Sequence, residues 1–155
     1  MATLHLMVGL PCSGKTTLAR RLESELPALR LSLDEWHIRL FGQDAQELEH
    51  DARHRVIETI LWDIACRGLE LGTNVILDFG FWAREEREDY RARAHRVGAS
   101  SEIHFLDVSA DELMKRLKKR NFRPSLESFL ISEDAMKPWI ACFEKPNTDE
   151  LKRRE

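Results

Sequence analysis

Chemistry is written most plainly in Gly9-Leu10-Pro11-Cys12-Ser13-Gly14-Lys15-Thr16, a full match to G-x-x-x-x-G-K-[ST]. With glycine at roughly 7% of residues and the other fixed positions near average usage, chance yields such a match on the order of once in two hundred chains this long. The spacing suits phosphate binding. Backbone N–H groups of the loop and the positive end of the following helix converge on phosphate oxygens. Gly9 and Gly14 permit backbone angles and close approaches that a Cβ would block. Lys15 is expected to reach the β- and γ-phosphates, and the Thr16 hydroxyl to bind Mg²⁺. Pro11, Cys12, Ser13 and Thr17 complete the predicted nucleotide-binding set, with Cys12 read as a small filler rather than a redox sensor.

Such a loop does not by itself separate a GTPase switch, a motor-like ATPase and a kinase. The Asn-Lys-x-Asp guanine reader and Asp-x-x-Gly switch of a GTPase are both missing. Asp78-Phe79-Gly80 spells the D-F-G triplet of protein kinases, but without the H-R-D and G-x-G-x-x-G segments that must accompany it, and reads as coincidence. Asp34 follows a short apolar segment. Ligands of open α/β sheets bind beyond the carboxyl ends of strands, which puts Asp34 on the acceptor side of a γ-phosphate, where it could act as general base. An Asp ahead of an amphipathic segment is also a common helix N-cap. Arg39 is expected either to clamp substrate or phosphate, or to make a surface ion pair. Asp78 ends the apolar run from Asn74, the place of a Mg²⁺-orienting acid, though Asp also ends strands as a turn residue.

The run Lys115–Arg123 carries six positive charges in nine residues and leads into Pro124. A basic helix end of this kind suits a lid over a nucleotide, about residues 116–131, with Arg116 and Arg120 on one helical face. Its plain alternative is a solvated helix end stabilised by the helix dipole.

Several elements must position these residues. Thr3–Val8 reads as a buried strand, Lys15–Leu26 as a helix stopped by Pro27, and Leu29–Leu33 as a second strand with Asp34 at its end. The segment after Gly42 reads as loop. Glu47–Leu71 carries Val56, Ile57, Ile60, Leu61, Ile64 and Ala65 at helical spacing and is closed by Gly72. A third strand ends at Asp78. Arg84–Arg96, with nine charged residues of thirteen, reads as a solvated helix. Ser101–Val108 reads as a strand and Ala110–Arg120 as a helix. Strands alternating with helices predict an α/β parallel sheet with helices on both faces. His37, His50 and His54 read as surface or helix residues rather than ligands; Trp62 and Trp139 read as core, whereas Trp36 and Trp82 follow the two key strand ends and could line an acceptor pocket, a reading the sequence leaves open.

The chain of 155 residues fits one domain, with a polar tail from about 146 to 155 that is expected to fray. Its 24 basic and 27 acidic residues give a net charge of −3, which excludes the global basic field of a nonspecific nucleic-acid binder but leaves room for a local basic patch on a phosphate backbone. No apolar run approaches the about 20 residues of a membrane span, and the N-terminus lacks the form of a secretory leader. Three widely separated cysteines indicate neither a disulfide framework nor a zinc site. A cytoplasmic protein is expected.

Taken in order, the loop Gly9–Thr17, the Ser32-x-Asp34 to Arg39 segment, Val75–Asp78, the charged helix from Arg84, Leu106-Asp107 and the Arg116–Asn121 run resemble one family. It is the small P-loop kinase group that includes polynucleotide kinase domains, zeta-toxin sugar-nucleotide kinases and chloramphenicol phosphotransferase. The resemblance spans Leu4 to Pro146. It implies a nucleotide-kinase-type parallel sheet of order 2-3-1-4, with room for a fifth strand, and ATP and Mg²⁺ as cofactors. It also implies Asp34 as general base, Arg39 as substrate-side clamp, Asp78 as the strand-end acid, and Arg116 or Arg120 as a lid arginine on ATP phosphates. Two departures stand out. Phe79, Gly80, Phe81 and Trp82 follow the third-strand acid where the family has small or polar residues, and Glu144-Lys145-Pro146 is followed by only nine polar residues where the family adds a last strand. The implied activity is transfer of the γ-phosphate of Mg-ATP to a hydroxyl of a small molecule. A nucleoside or polynucleotide 5′-hydroxyl kinase and a non-catalytic ATP-binding regulatory module are the alternatives.

Overall fold

Every residue of Thr3–Val8 is buried, because this segment (β1) is an inner strand covered on both sides. The computed structural model describes residues 1–155. Along the chain follow α1 (Lys15–Glu25), β2 (Ala28–Ser32), α2 (Leu33–Phe41), α3 (His50–Glu70), β3 (Asn74–Gly80), α4 (Arg84–Arg96), β4 (Ser100–Phe105), α5 (Ala110–Phe122) and α6 (Glu133–Cys142). The four strands form one sheet of order β2-β3-β1-β4, and every pairing between them is parallel. No helix is long and apolar enough to cross a membrane.

Strand alternation sends Leu4, Leu6 and Val8 to one face, where they meet Leu31, Val75, Leu77 and the apolar side of α3 and α4. Met7 and Ile76 point to the other face, under Ala19 of α1. Helix α3 buries Ile57, Leu61, Ala65 and Leu69, one every fourth residue. Val56 and Ile60, expected on that face, are 60% and 45% exposed. The sheet covers only a narrow stripe of the helix, and these two lie beside it. A third cluster joins Leu113 and Leu117 of α5 to Met136 of α6 and to Leu10 of the loop after β1.

Two expectations fail on the β4 side, for one reason. Arg87 is fully buried and Arg91 nearly so, although their helix reads as solvated. Arg87 donates to both oxygens of the buried Glu150 (2.8 and 3.4 Å) and to the carbonyls of Phe81 (3.0 Å) and Trp82 (3.1 Å). Arg91 donates to the Lys152 carbonyl (2.6 Å), to that of Glu150, and to the Ser101 hydroxyl (3.1 Å). The polar tail therefore docks rather than frays. Arg154 exchanges two backbone hydrogen bonds with Ser101 (2.7 and 2.9 Å), a single antiparallel bridge on the β4 edge where a fifth strand would pair.

Glu86 on α4 is also withdrawn from water. Burial, reinforced by the nearby Glu58 carboxylate, pushes its pKa up to about 7 from 4.5. The unfolded chain ionises first, so Glu86 makes the fold lose stability as pH rises from about 4.5 to 7. Glu86→Gln is expected to flatten that decline and to be the more stable protein above pH 7. Urea unfolding of both proteins across this range checks it; parallel stability curves would contradict it.

Candidate active site

β1 ends at Val8 and α1 begins at Lys15, so the six residues between them must turn sharply and aim their N–H groups along the helix axis. Gly9 is required by contact: a Cβ there would lie 2.4 Å from the Ser13 hydroxyl oxygen. Gly80, at φ +100° on the end of β3, accepts from the Gly9 N–H through its carbonyl (3.0 Å) and ties the two strand ends together. Lys15, Thr16 and Thr17 form the first turn of α1.

Asp78 is not a strand-end turn residue. β3 runs two residues past it, and the carboxylate is buried beside the loop. The Thr16 hydroxyl donates to its Oδ2 (2.7 Å), while its Oδ1 has no protein partner. Burial raises the pKa of Asp78, and the nearby Lys15 ammonium opposes that rise. A buried carboxylate oxygen without a partner, next to a hydroxyl and a phosphate loop, is an oxygen donor set that fits a hard divalent cation such as Mg²⁺.

Asp34 is not a helix cap either. Ser32 caps α2 by accepting from the Glu35 N–H (3.4 Å). Asp34 stands in the first turn with its side chain 51% exposed, hydrogen-bonded to nothing in the protein, and 3.9 Å from the ring of His54. Arg39, five residues further along the same helix, is rotated by about 140° from Asp34 at 100° per residue. It is exposed and lines neither cleft described below.

Two clefts meet over the loop. One, of about 390 Å³, is polar and is lined by Pro11, Cys12, Gly14, Lys15, Thr16, Thr17, Asp34, Asp78, Arg116 and Arg120 among others. Gly9 and Ser13 are buried and do not line it. The other cleft, of about 730 Å³, has Phe79, Trp82, Phe129 and Trp139 on its walls together with His50, Asp51 and His54. Pro11, Lys15, Asp34 and Ile131 line both. Of the two tryptophans that follow the strand ends, Trp82 lines this cleft and Trp36 does not. Trp139, read as core, packs against the α5–α6 cluster and faces this cleft as well, with its ring 5.4 Å from that of Trp82.

The α5 arginines reach back to the loop. Arg116 donates to the carbonyls of Cys12 (3.2 Å) and Ser13 (3.4 Å), and Arg120 to the Cys12 sulfur (3.5 Å) and the Phe129 carbonyl (2.9 Å). The segment between α5 and α6 crosses to the far side of the polar cleft. Its Glu127 pairs with Arg20, which also holds Glu35 (3.2 Å), and Gln43 bonds the Ser128 carbonyl (2.8 Å) and the Leu130 N–H (3.0 Å). Sequence reasoning missed Arg20, Gln43 and Glu127, whose pairings span the chain and leave no local pattern. It also missed that His37, His50 and His54 come together. The one signal was the four-residue spacing of His50 and His54, which shares a helix face.

A family model described as an AAA domain matches residues 4–146. The chain belongs to this AAA-domain family. Its fold is that of the P-loop kinases, as solved structures show. Kti12 from Chaetomium thermophilum, in complex with ADP-AlF3, has a TM-score of 0.70 at 21% identity, covering 93% of this chain and 81% of that one. A chain of the Pnkp1/Rnl/Hen1 RNA repair complex has a TM-score of 0.73 at 23% identity; 90% of this chain is covered, but only 43% of that one. A gluconokinase from Sinorhizobium meliloti 1021 has a TM-score of 0.67 at 18% identity, with coverage of 97% and 79%. No curated protein matches the sequence. The AAA-domain chain thus carries a kinase-like nucleotide-binding fold, with the phosphate loop and α5 arginines facing one cleft and an aromatic cleft alongside.

Proposed function

We propose that this protein is an ATP-dependent phosphotransferase that moves the γ-phosphate of Mg-ATP to a hydroxyl of a small molecule. The observation that carries this reading is the meeting of a polar phosphate cleft and an aromatic cleft at shared residues that include the two charged side chains Lys15 and Asp34. Loop N–H groups and Lys15 hold the ATP phosphates, and Arg116 and Arg120, which line the same cleft, offset charge on the transferring group in this reading. Thr16 and Asp78 would hold Mg²⁺, which supplies charge neutralisation across the β- and γ-phosphates. Asp34 takes the proton of the acceptor hydroxyl as the new O–P bond forms and the bond to the β-phosphate breaks. The segment after α5, held by Arg20 and Gln43, serves as the lid that keeps water from the transfer. Arg39 has no part in this assignment.

The aromatic cleft has the volume of a small-molecule site. Its walls carry Asp34 and Asp51, no arginine, and no lysine but Lys15, which favours an uncharged, ring-bearing alcohol over an acceptor rich in phosphate. ADP release from Mg-ATP tests the reading against pooled nucleosides, 5′-hydroxyl oligonucleotides, nucleotide sugars and hydroxylated antibiotics. A pool of uncharged ring-bearing alcohols is expected to raise turnover, and Lys15→Ala to reduce it by about 10²–10³-fold. Tight ATP binding with no turnover in any pool would leave an ATP-binding regulatory module instead.

A further inference from the structure

Behind His50 and His54, which line the aromatic cleft, lies a second set of titratable groups that the proposed reaction does not use. Asp44, fully buried in the loop after α2, accepts from His37 Nε2 (2.7 Å), His50 Nδ1 (2.6 Å) and Arg53 (2.9 Å). His37, also fully buried, faces His54 Nδ1 through its own Nδ1 (2.8 Å). His54 Nε2 then stands 3.9 Å from Asp34. Phe129 packs its ring edge-on to His37, His50 and His54.

The direction of every hydrogen bond in this chain follows from its anchor. Burial disfavours the charge on Asp44, but the hydrogen bonds from His50, Arg53 and His37 outweigh it and hold the carboxyl well below its usual range. An ionised carboxylate only accepts, so His37 Nε2 carries a proton. With a single proton on the His37 ring, its Nδ1 is bare and accepts from His54 Nδ1–H. That leaves His54 Nε2 as a lone pair turned toward Asp34. Two acceptors facing each other have nothing to share until a proton arrives.

We infer that His54 is a positioning residue that acts through Asp34, taking from it the proton released by the acceptor hydroxyl. This rests on the phosphotransferase reading. As the acceptor oxygen bonds to the γ-phosphorus and ADP departs, the hydroxyl proton passes to Asp34 and on to His54 Nε2. Asp34 is left ionised for the next turnover, and His54 returns the proton to water. His37 and Asp44 hold the ring so that Nε2, not Nδ1, meets Asp34.

The cluster is not arranged for a metal. Ligands of a tetrahedral zinc lie roughly 3.3 Å apart, whereas these atoms are in hydrogen-bond contact and Arg53 occupies the same carboxylate.

The charged and titratable groups facing His54 are Asp34 and His37 from α2 and His50 and Glu58 from α3. Burial, opposed by Asp34, lowers its pKa, so the ring is neutral and able to accept at pH 7. Nitrogen-15 NMR of the histidines in the full, nucleotide-free chain is expected to show the Nδ1–H tautomer for His54 and the Nε2–H tautomer for His37. Asp34→Asn should lower the His54 titration midpoint by about one pH unit.

Mg-ATP turnover with the pool of ring-bearing alcohols that serves as acceptor supplies the second readout. His54→Asn keeps a donor toward His37 and removes the Nε2 acceptor. It is expected to slow turnover about tenfold or more at pH 7 and to abolish the fall in rate on the acid side, where the wild-type ring is already protonated. An Nε2–H tautomer at His54, or a pH profile unchanged by His54→Asn, overturns the relay while leaving the transfer reaction intact. The assigned tautomers with no turnover in any variant overturn the proposed function, and the relay with it.

Discussion

Asp34→Asn is expected to reduce phosphoryl transfer by about 10²–10⁴-fold while ATP binds as before. The amide has the size of the carboxylate but cannot take a proton, so only the chemical step loses its partner. The local geometry makes this a clean substitution. Ser32, not Asp34, satisfies the first N–H groups of α2, and the Asp34 side chain gives up no hydrogen bond. What the fold loses is one acidic charge at the positive end of a helix, worth about 0.5 kcal/mol. Single-turnover ADP formation set beside nucleotide affinity and the melting temperature separates the outcomes. A large fall in thermal stability with transfer unchanged would make Asp34 a helix residue and remove the general base from the mechanism.

Glu150→Ala is expected to destabilise the fold by about 3–5 kcal/mol, because it leaves the guanidinium of Arg87 buried without its counter-charge. For a chain of this size that corresponds to a fall of about 10 °C in the melting temperature. Alanine also loosens the contact between α4 and the tail, since the Glu150 and Lys152 carbonyls are acceptors for Arg91. The effect extends toward the aromatic cleft through the Trp82 carbonyl that Arg87 holds. Calorimetry decides the matter. A shift of less than about 2 °C, which is under 1 kcal/mol at this size, would mean the tail is not docked in solution, and Arg87 would then meet water instead.

The same pair of residues shows where a sequence stops being informative. Arg84–Arg96 is charged along most of its length, and local composition says solvent. Arg87 is nevertheless among the most buried side chains, because Glu150, sixty-three positions away, brings the compensating charge. Arg39 illustrates a second kind of limit. Its distance from Asp34 in sequence is small, but helical rotation carries the two to different faces once α2 begins directly after β2. His37, His50 and His54 give a third case: a lone histidine in a sequence is unremarkable, and their meeting depends on how α2 packs against α3 through the loop that carries Asp44.

The family resemblance implied the parallel order 2-3-1-4, while the sequence by itself determined the phosphate loop and the alternation of strands and helices. These depend on short-range physics. Glycine spacing sets where a backbone can turn toward an anion, and apolar periodicity sets strand or helix within a few residues. Only the tertiary structure decided that the charged helix is buried on one side and that the tail closes the sheet edge. It alone placed an aromatic cleft beside the phosphate site and a histidine chain behind Asp34. Each of those depends on groups far apart in the chain neutralising or covering one another after burial has removed water, and desolvation is a property of the packed molecule rather than of any segment of it.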